Sequence, residues 1–356
     1  MDLIHPASRA ELASVLAAAS GDGRRLELVG GRTHAGRSEA REVDAELWTT
    51  QLDRAISYDP AEMIAVVEAG MRAEELQRIL REGGQEWAVD APRGATVGGV
   101  IAAGVSSPRR MRVGHVRDTV VELDLVTGDG RAVRSGARTV KNVTGFDIHR
   151  LATGSFGSLG ALVQVALKVR PLPQTRRTLV RNGALGLELG RELMRAVPAA
   201  TAILAAPDRI ELRLEGWAAE VEQLTAAAIG ADGDLFVLED DAFPARSVDD
   251  APVVVEAAVP PSGLDTVVEG LADWTALIGV GMVWVRLPTS DDPSLRMVLQ
   301  RAAATGGTAR QIRGSPPDER PVVPPLPAPD VQRRLKEAFD PAGILALVPG
   351  GGSGAG

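Results

Sequence analysis

Residues Pro92 to Asp118, PRGATVGGVIAAGVSSPRRMRVGHVRD, hold five glycines, Gly94, Gly98, Gly99, Gly104 and Gly114, with little bulk before Met111. Glycine loses more backbone freedom on folding than any other residue, so this density needs a use, and close approach of backbone to a ligand is the common one. Thr96 to Ala103 reads as a short helix whose first amides lack intrahelical partners. Together with the helix dipole they offer a place for an anion. The same residues also suit a helix packed tightly through a small-residue face. On this stretch alone both readings stand.

Three other segments share the pattern. Arg25-Leu26-Glu27-Leu28-Val29 alternates as a strand and runs into Gly30-Gly31-Arg32-Thr33-His34, where successive backbone N–H groups can form a concave nest for a pyrophosphate. Lys141-Asn142-Val143-Thr144-Gly145-Phe146-Asp147-Ile148 precedes Gly154-Ser155-Phe156-Gly157-Ser158-Leu159-Gly160, and a strand then ends at Leu172-Pro173. In order and spacing the four segments resemble the PCMH-type FAD-binding domain of the vanillyl-alcohol oxidase and para-cresol methylhydroxylase superfamily. Within that superfamily the likeness is greatest to the E-type, FAD-binding subunits of bacterial glycolate oxidases. It rests on SSPRRMRVGHVRD and KNVTGFDIHRLATGS, and on AFDPAGIL at 338–345.

The resemblance implies an α+β fold: a PCMH-type FAD-binding domain of two α/β subdomains over 1–175, and a smaller α+β cap domain over 176–314. A Pro-rich connector at 315–329 follows, then a segment at 330–349 returning to the FAD domain and a glycine-rich, disordered tail at 350–356. It assigns FAD to Val29, Gly30, Gly31, Arg32, Thr33 and His34. It adds Pro92, Gly94, Ala95, Thr96, Val97, Gly98, Gly99, Ala102 and Gly104 from the central stretch, with Gly114, Val116, Arg117 and Asp118 after it. Asn142, Val143, Thr144 and Gly145, then Gly157, Gly160, Ala161 and Leu162, complete the set. Where relatives often carry an acidic residue inside the GSxGxLG motif, this chain has Phe156. In some relatives a histidine directly after the paired glycines links the flavin covalently. Here Arg32 follows Gly31, His34 comes two positions later and no cysteine exists, so non-covalent FAD is expected.

The implied activity is hydride transfer from a 2-hydroxy acid such as glycolate or D-lactate to flavin. The implied partners are a larger FAD-containing catalytic subunit and an iron–sulfur subunit. A non-catalytic FAD-stabilised assembly or electron-transfer subunit, and a sugar or lactone oxidase on the same fold, are the alternatives.

Composition narrows the field. A formal charge of −8 argues against nucleic-acid binding through bulk electrostatics. Zero cysteines remove disulfides, thiolate catalysis and cysteine-ligated clusters from this chain. There is no GxGxxG, no P-loop and no HxxxH pair. No run approaches the ~18 apolar residues of a membrane span, and the N-terminus lacks a signal-peptide pattern. A cytoplasmic protein, peripheral to a membrane only through partners, is the expectation.

Along the chain, Ser8 and Glu11 form a capping-box pattern for a helix closed by Gly21, and Phe146 and Leu151 mark the buried side of a short helix. After Thr175, helical stretches (187–197, 217–229, 264–274, 294–304) alternate with strands (201–205, 209–214, 253–257, 283–287), predicting an antiparallel sheet with helices on one face. No histidine follows His149, so the second domain lacks the side chain best suited to general-base work near neutral pH. Glu211, Glu215 and Glu256 are its candidate bases, and Arg213 and Arg286 its candidate carboxylate holders. The spacing singles out none of them.

Overall fold

The computed structural model describes residues 1–33, 43–105, 107–138, 146–184, 186–239, 242–244, 251–314 and 328–345. The sequence-predicted contributions of His34 and of Asn142 to Gly145, most of the Pro-rich connector and the glycine tail lie outside them. The chain forms two compact units. One comprises 1–107, 115–172 and 325–356; the other comprises 108–114 and 173–324.

The first unit is built on two sheets. Asp2–Ile4, Ala45–Trp48 and Leu26–Val29 form a parallel three-stranded sheet with Ala45–Trp48 in the middle. Ala55–Asp59, Ile64–Glu68, Ala161–Lys168, Val120–Val126 and Ala132–Gly136 form, in that order, an antiparallel five-stranded sheet. Ala161–Lys168 is apolar at nearly every position because it serves two cores. Ala161 and Val163 join Leu12, Leu16, Leu26 and Leu47 on one side. Leu162, Val165 and Leu167 join Leu76, Leu80, Trp87 and Ile101 on the other. Burying ten such side chains is worth on the order of 15–30 kcal/mol before conformational entropy is counted.

The helix Arg9–Asp22 is capped as its sequence predicts, Ser8 Oγ accepting from Glu11 N at 3.2 Å, but the Glu11 carboxylate reaches Ala7 N at 2.9 Å instead of closing a capping box on Ser8 N. It runs through Gly21 and closes at Gly23, which takes the left-handed φ of 65° that a C-cap requires. The short helix Ile148–Ala152 departs further from expectation. It buries His149 and Ala152, while Phe146 is 89% exposed and Leu151 lies on the open side. The inward position is claimed by His149 because its Nδ1 meets Ser135 Oγ at 3.1 Å.

The second unit is an eight-stranded, wholly antiparallel sheet. Its order is Phe236–Val237, Thr175–Asn182, Arg209–Gly216, Ala202–Ala206, Trp274–Leu277, Met282–Leu287, Val253–Ala258, Thr308–Arg313. Alternation along each strand divides its faces. Ile203, Ala205, Leu212, Val255 and Val285 pack against helices Leu187–Ala196, Ala218–Ala231, Leu264–Val268 and Pro293–Ala304. Leu204, Val254 and Trp284 belong to a smaller cluster on the other face. The expected helix over 264–274 stops at Val268, since Gly270 turns left-handed at φ 70°, and Trp274 starts a strand. Pro108–Gly114 packs with this unit through Met111, so Gly114, assigned to the cofactor from the sequence, belongs to the second unit.

A glycine-walled cleft as candidate flavin site

Three backbone segments of the first unit converge on one cleft. Its walls are the 29–33 turn, Gly98, Gly99, Ala102 and Ala103 of the helix Val97–Ala103, and the 156–162 segment, with Glu27, Leu28 and Thr49 at the rim. About 900 Å³ between these walls is free of protein atoms, part of it open to solvent. That is the scale of a cofactor site. Twelve of the sequence-assigned residues line it: Val29 to Thr33, Gly98, Gly99, Ala102, Gly157 and Gly160 to Leu162.

The glycines have specific steric reasons. A Cβ on Gly30 would stand 2.3 Å from Thr96 Oγ1, and one on Gly31 would stand 2.0 Å from the Gly94 carbonyl oxygen. The two glycines therefore press the 29–33 turn against residues 94–96. Gly94, at φ 76°, is fixed in turn: its N–H donates to Glu74 at 3.0 Å and its carbonyl accepts from the Arg72 guanidinium. Gly160, at φ 148°, would put a Cβ 2.4 Å from the Val126 carbonyl. These are walls made of backbone, which is what a ligand that must approach main chain along its length requires.

One expectation fails here. The first amides of the helix Val97–Ala103 are not available to an anion. Val97 N donates to Met71 O at 2.8 Å, Gly98 N to Ala69 O at 2.7 Å, and Gly99 N to Thr96 Oγ1 at 3.1 Å. Gly98 is small because a Cβ would sit 2.9 Å from Ala69, so its part is packing. Both readings of this stretch hold in different measure: the helix packs through its N-terminal glycine and lines the cleft with small residues. The other end of the helix is tied to the next motif. Gly154 N donates to Ile101 O at 3.0 Å and Phe156 N to Ala102 O at 2.8 Å.

Phe156 lines the cleft at φ 52°, a left-handed conformation uncommon for an aromatic residue. Strain of this kind gathers at ligand sites, where neighbours over-determine the backbone. Pro92, Ala95, Thr96 and Val97 stand behind the lining residues. Gly104 takes φ 60° as the left-handed C-cap of the helix Val97–Ala103, and a Cβ there would lie 3.1 Å from Gly154. Val116 to Asp118 form a capped turn in which His115 Nδ1 accepts from Arg117 N and Asp118 accepts from His115 N, both at 3.2 Å. The structure does not bring these residues into the cleft lining.

Arg32 has its own surroundings. Its guanidinium pairs with Glu46 and lies over the Trp48 ring, 5.2 Å from the centroid. Trp48 Nε1 donates to Glu46 at 2.8 Å, and His5 stacks on Trp48 at 5.8 Å. The Arg32 hydrogen bond holds the Glu46 carboxyl below the ordinary glutamate range, against the opposing effect of burial. Sequence reasoning missed Glu46 and Trp48. Their strand looks like scaffold, and only the sheet register, Val29 beside Trp48, brings them to the turn.

In the second unit the five candidate residues fall on the helix-free face of the sheet. The strand RIELRLEG sets Arg209, Glu211, Arg213 and Glu215 on one side. Each candidate is engaged: Glu211 with Arg209 at 2.9 Å, Arg213 with Glu215 at 3.2 Å, Glu256 with Arg310 at 2.9 Å, Arg286 with Asp273 at 2.6 Å. Among the described residues no cluster suits a metal ion, and no helix is long and apolar enough to cross a membrane.

The comparisons with known proteins agree with the cleft. Residues 3–136 match the FAD binding domain family. Glycolate oxidase subunit GlcE of Escherichia coli K12 is 27% identical over 299 residues, 82% of each chain. Mitochondrial D-lactate dehydrogenase [cytochrome] of Arabidopsis thaliana is 34% identical over 34% of this chain and 21% of its own length. GlcD of Bacillus subtilis is 29% identical over 36% of this chain and 28% of its own. By structure, an alkyldihydroxyacetonephosphate synthase shares the fold at TM-score 0.68 and 16% identity, over 96% of this chain and 75% of that one. Residues 3–136 are thus an FAD-binding domain of the PCMH type, and the chain is a flavoprotein related to the glycolate oxidase subunits.

Proposed function

We propose that this chain is the smaller flavin-carrying subunit of a glycolate oxidase-type complex and works on a 2-hydroxy acid only together with a larger flavin subunit and an iron–sulfur subunit. Bound FAD supplies the capacity to take up a hydride from the substrate's hydroxyl-bearing carbon. The chain's own part is to hold the cofactor against backbone walls, with the 29–33 turn at the pyrophosphate and the 156–162 segment along the rest of its length. Residues 1–175 with the C-terminal segment at 330–349 serve as the FAD domain and 176–314 as the cap, and the complex works in the cytoplasm.

One observation carries this reading: the likeness to GlcE extends across both units, yet each candidate base of the second unit is held in an ion pair. That unit has no histidine, and Glu211, Glu215 and Glu256 each sit beside an arginine. A carboxylate held in a part-buried ion pair must give up that partner before it can reach a substrate proton. The test is anaerobic mixing of the purified chain with glycolate or D-lactate, following the oxidised-flavin band. Slow or absent bleaching by the lone chain, restored by the partner subunits, is expected. Bleaching by the lone chain at ordinary turnover rates of ~1–10³ s⁻¹ would refute the dependence on partners.

A further inference from the structure

The turn after the strand Leu26–Val29 places an arginine where backbone geometry favours glycine. Arg32 has φ 54°, a region that residues bearing a Cβ visit rarely. Gly30 and Gly31 do not share it; their constraint is the contact with residues 94–96 described above. A left-handed residue closing such a turn makes successive N–H groups converge into an anion-binding concavity. Something must hold Arg32 in that form.

Its side chain is well placed to do so. The guanidinium engages one oxygen of Glu46, whose side chain is 4% exposed, while Trp48 Nε1 donates to the other oxygen at 2.8 Å. The cation also lies on the Trp48 ring, at 5.2 Å. Reaching a phosphate instead would cost both contacts and leave a buried carboxylate without its cation. We propose that Arg32 serves flavin binding through its backbone, with Glu46 and Trp48 anchoring its side chain so that the turn stays in its left-handed form. Glu46 and Trp48 are then positioning residues. The proposal rests on the assignment of this turn to the FAD pyrophosphate.

The competing role, a guanidinium directed at the phosphates, predicts opposite signs. The experiment removes FAD from the full-length chain and titrates it back into wild type and variants by flavin fluorescence, with thermal melting of each apo-protein alongside. Arg32→Gly should bind FAD within about threefold of wild type, because glycine adopts positive φ freely. Arg32→Ala keeps the backbone cost without the anchor and should bind about fivefold to thirtyfold more weakly. Glu46→Gln and Trp48→Leu should each weaken FAD several-fold. Adding Arg32→Gly to Glu46→Gln should restore affinity, since glycine needs no anchor; this double variant also removes the unpaired buried carboxylate that Arg32→Gly alone leaves behind.

Loss of more than tenfold in Arg32→Gly, with tighter binding in Glu46→Gln as the freed cation reaches the phosphates, would overturn the proposal. So would lower apo-protein melting temperatures in Arg32→Ala and Glu46→Gln with FAD affinity unchanged, the mark of a purely structural role. Failure of wild type to bind FAD at all would overturn the underlying site assignment as well, and is told apart by that control.

Discussion

Asp340 offers the sharpest test of how the C-terminal segment is held. Its side chain is fully buried and accepts three hydrogen bonds: from Ile344 N at 3.0 Å, from Leu345 N at 2.9 Å and from Lys336 Nζ at 2.6 Å. Lys336 also donates to the Ser158 carbonyl at 2.8 Å, inside the 156–162 wall of the cleft. Asp340→Ala removes one partner of a buried ion pair, a change that costs ~3–5 kcal/mol. Two backbone amides lose a charged acceptor as well, at about 1–3 kcal/mol each where no replacement exists. These terms overlap. Lys336 is 18% exposed and keeps two carbonyl acceptors, Ser158 and Leu345, so part of its cost is recovered. The expected loss is about 3 kcal/mol. With a urea slope of ~2–3 kcal/mol/M, the unfolding midpoint of the apo-protein should fall by roughly 1–1.5 M, read by circular dichroism. FAD affinity should fall in parallel, because the 156–162 wall loses its tether. Lys336→Met combined with Asp340→Ala should cost less than the two single changes summed. A loss under about 1 kcal/mol for Asp340→Ala, or strict additivity in the double variant, would refute the reasoning.

Three further outcomes follow from particular contacts. Burial lowers the His149 pKa from its ordinary 6.5, Asp147 and Arg150 acting in opposite directions. The folded state then binds fewer protons than the unfolded one, so this stability is fully present above pH ~6.5 and declines as pH falls from there through the lower folded value. His149→Gln should flatten the dependence of melting temperature on pH between about 7 and 5, and an unchanged slope would count against it. Because Arg32 follows Gly31, acid precipitation should leave flavin colour in the supernatant; colour in the pellet would show a covalent link. Gly98→Ala puts a methyl 2.9 Å from Ala69 and should destabilise the fold by ~1–3 kcal/mol, seen as a lower apo-protein melting temperature, whereas an unaltered melt would show that the helix can shift.

What the sequence disclosed was what backbone alone dictates. Gly30, Gly31, Gly157 and Gly160 were legible because a glycine requirement is local, and three of the four have no room for a Cβ beside a neighbouring segment, Gly157 being the looser case. The strand RIELRLEG was legible because its charges and aliphatics alternate with the pleat. Less visible was what depends on partners distant in sequence. The amides of Val97, Gly98 and Gly99 looked unused because their acceptors, Met71 O, Ala69 O and Thr96 Oγ1, come mostly from the end of another strand. Phe146 looked buried because it is apolar, yet His149 holds the inward place through Ser135, fourteen residues back in the chain.

The charged face of the second unit bears on function in the same way. Arginine and glutamate alternate along one strand face where an apolar core would be simpler to build. Arg213 is 6% exposed and Glu215 is buried with it, while Thr178 accepts from Arg213 at 2.8 Å and Arg109 approaches Glu215 at 3.5 Å. Desolvating so many charges gains little stability, because attraction between paired ions is largely spent on the loss of their hydration. Such a network is better understood as fixing which side chains stand where. Glu211 is held by Arg209, and Glu215 by Arg213 and Arg109, so the pairs order this face of the sheet. On the function proposed above, such a face would serve shape and contact.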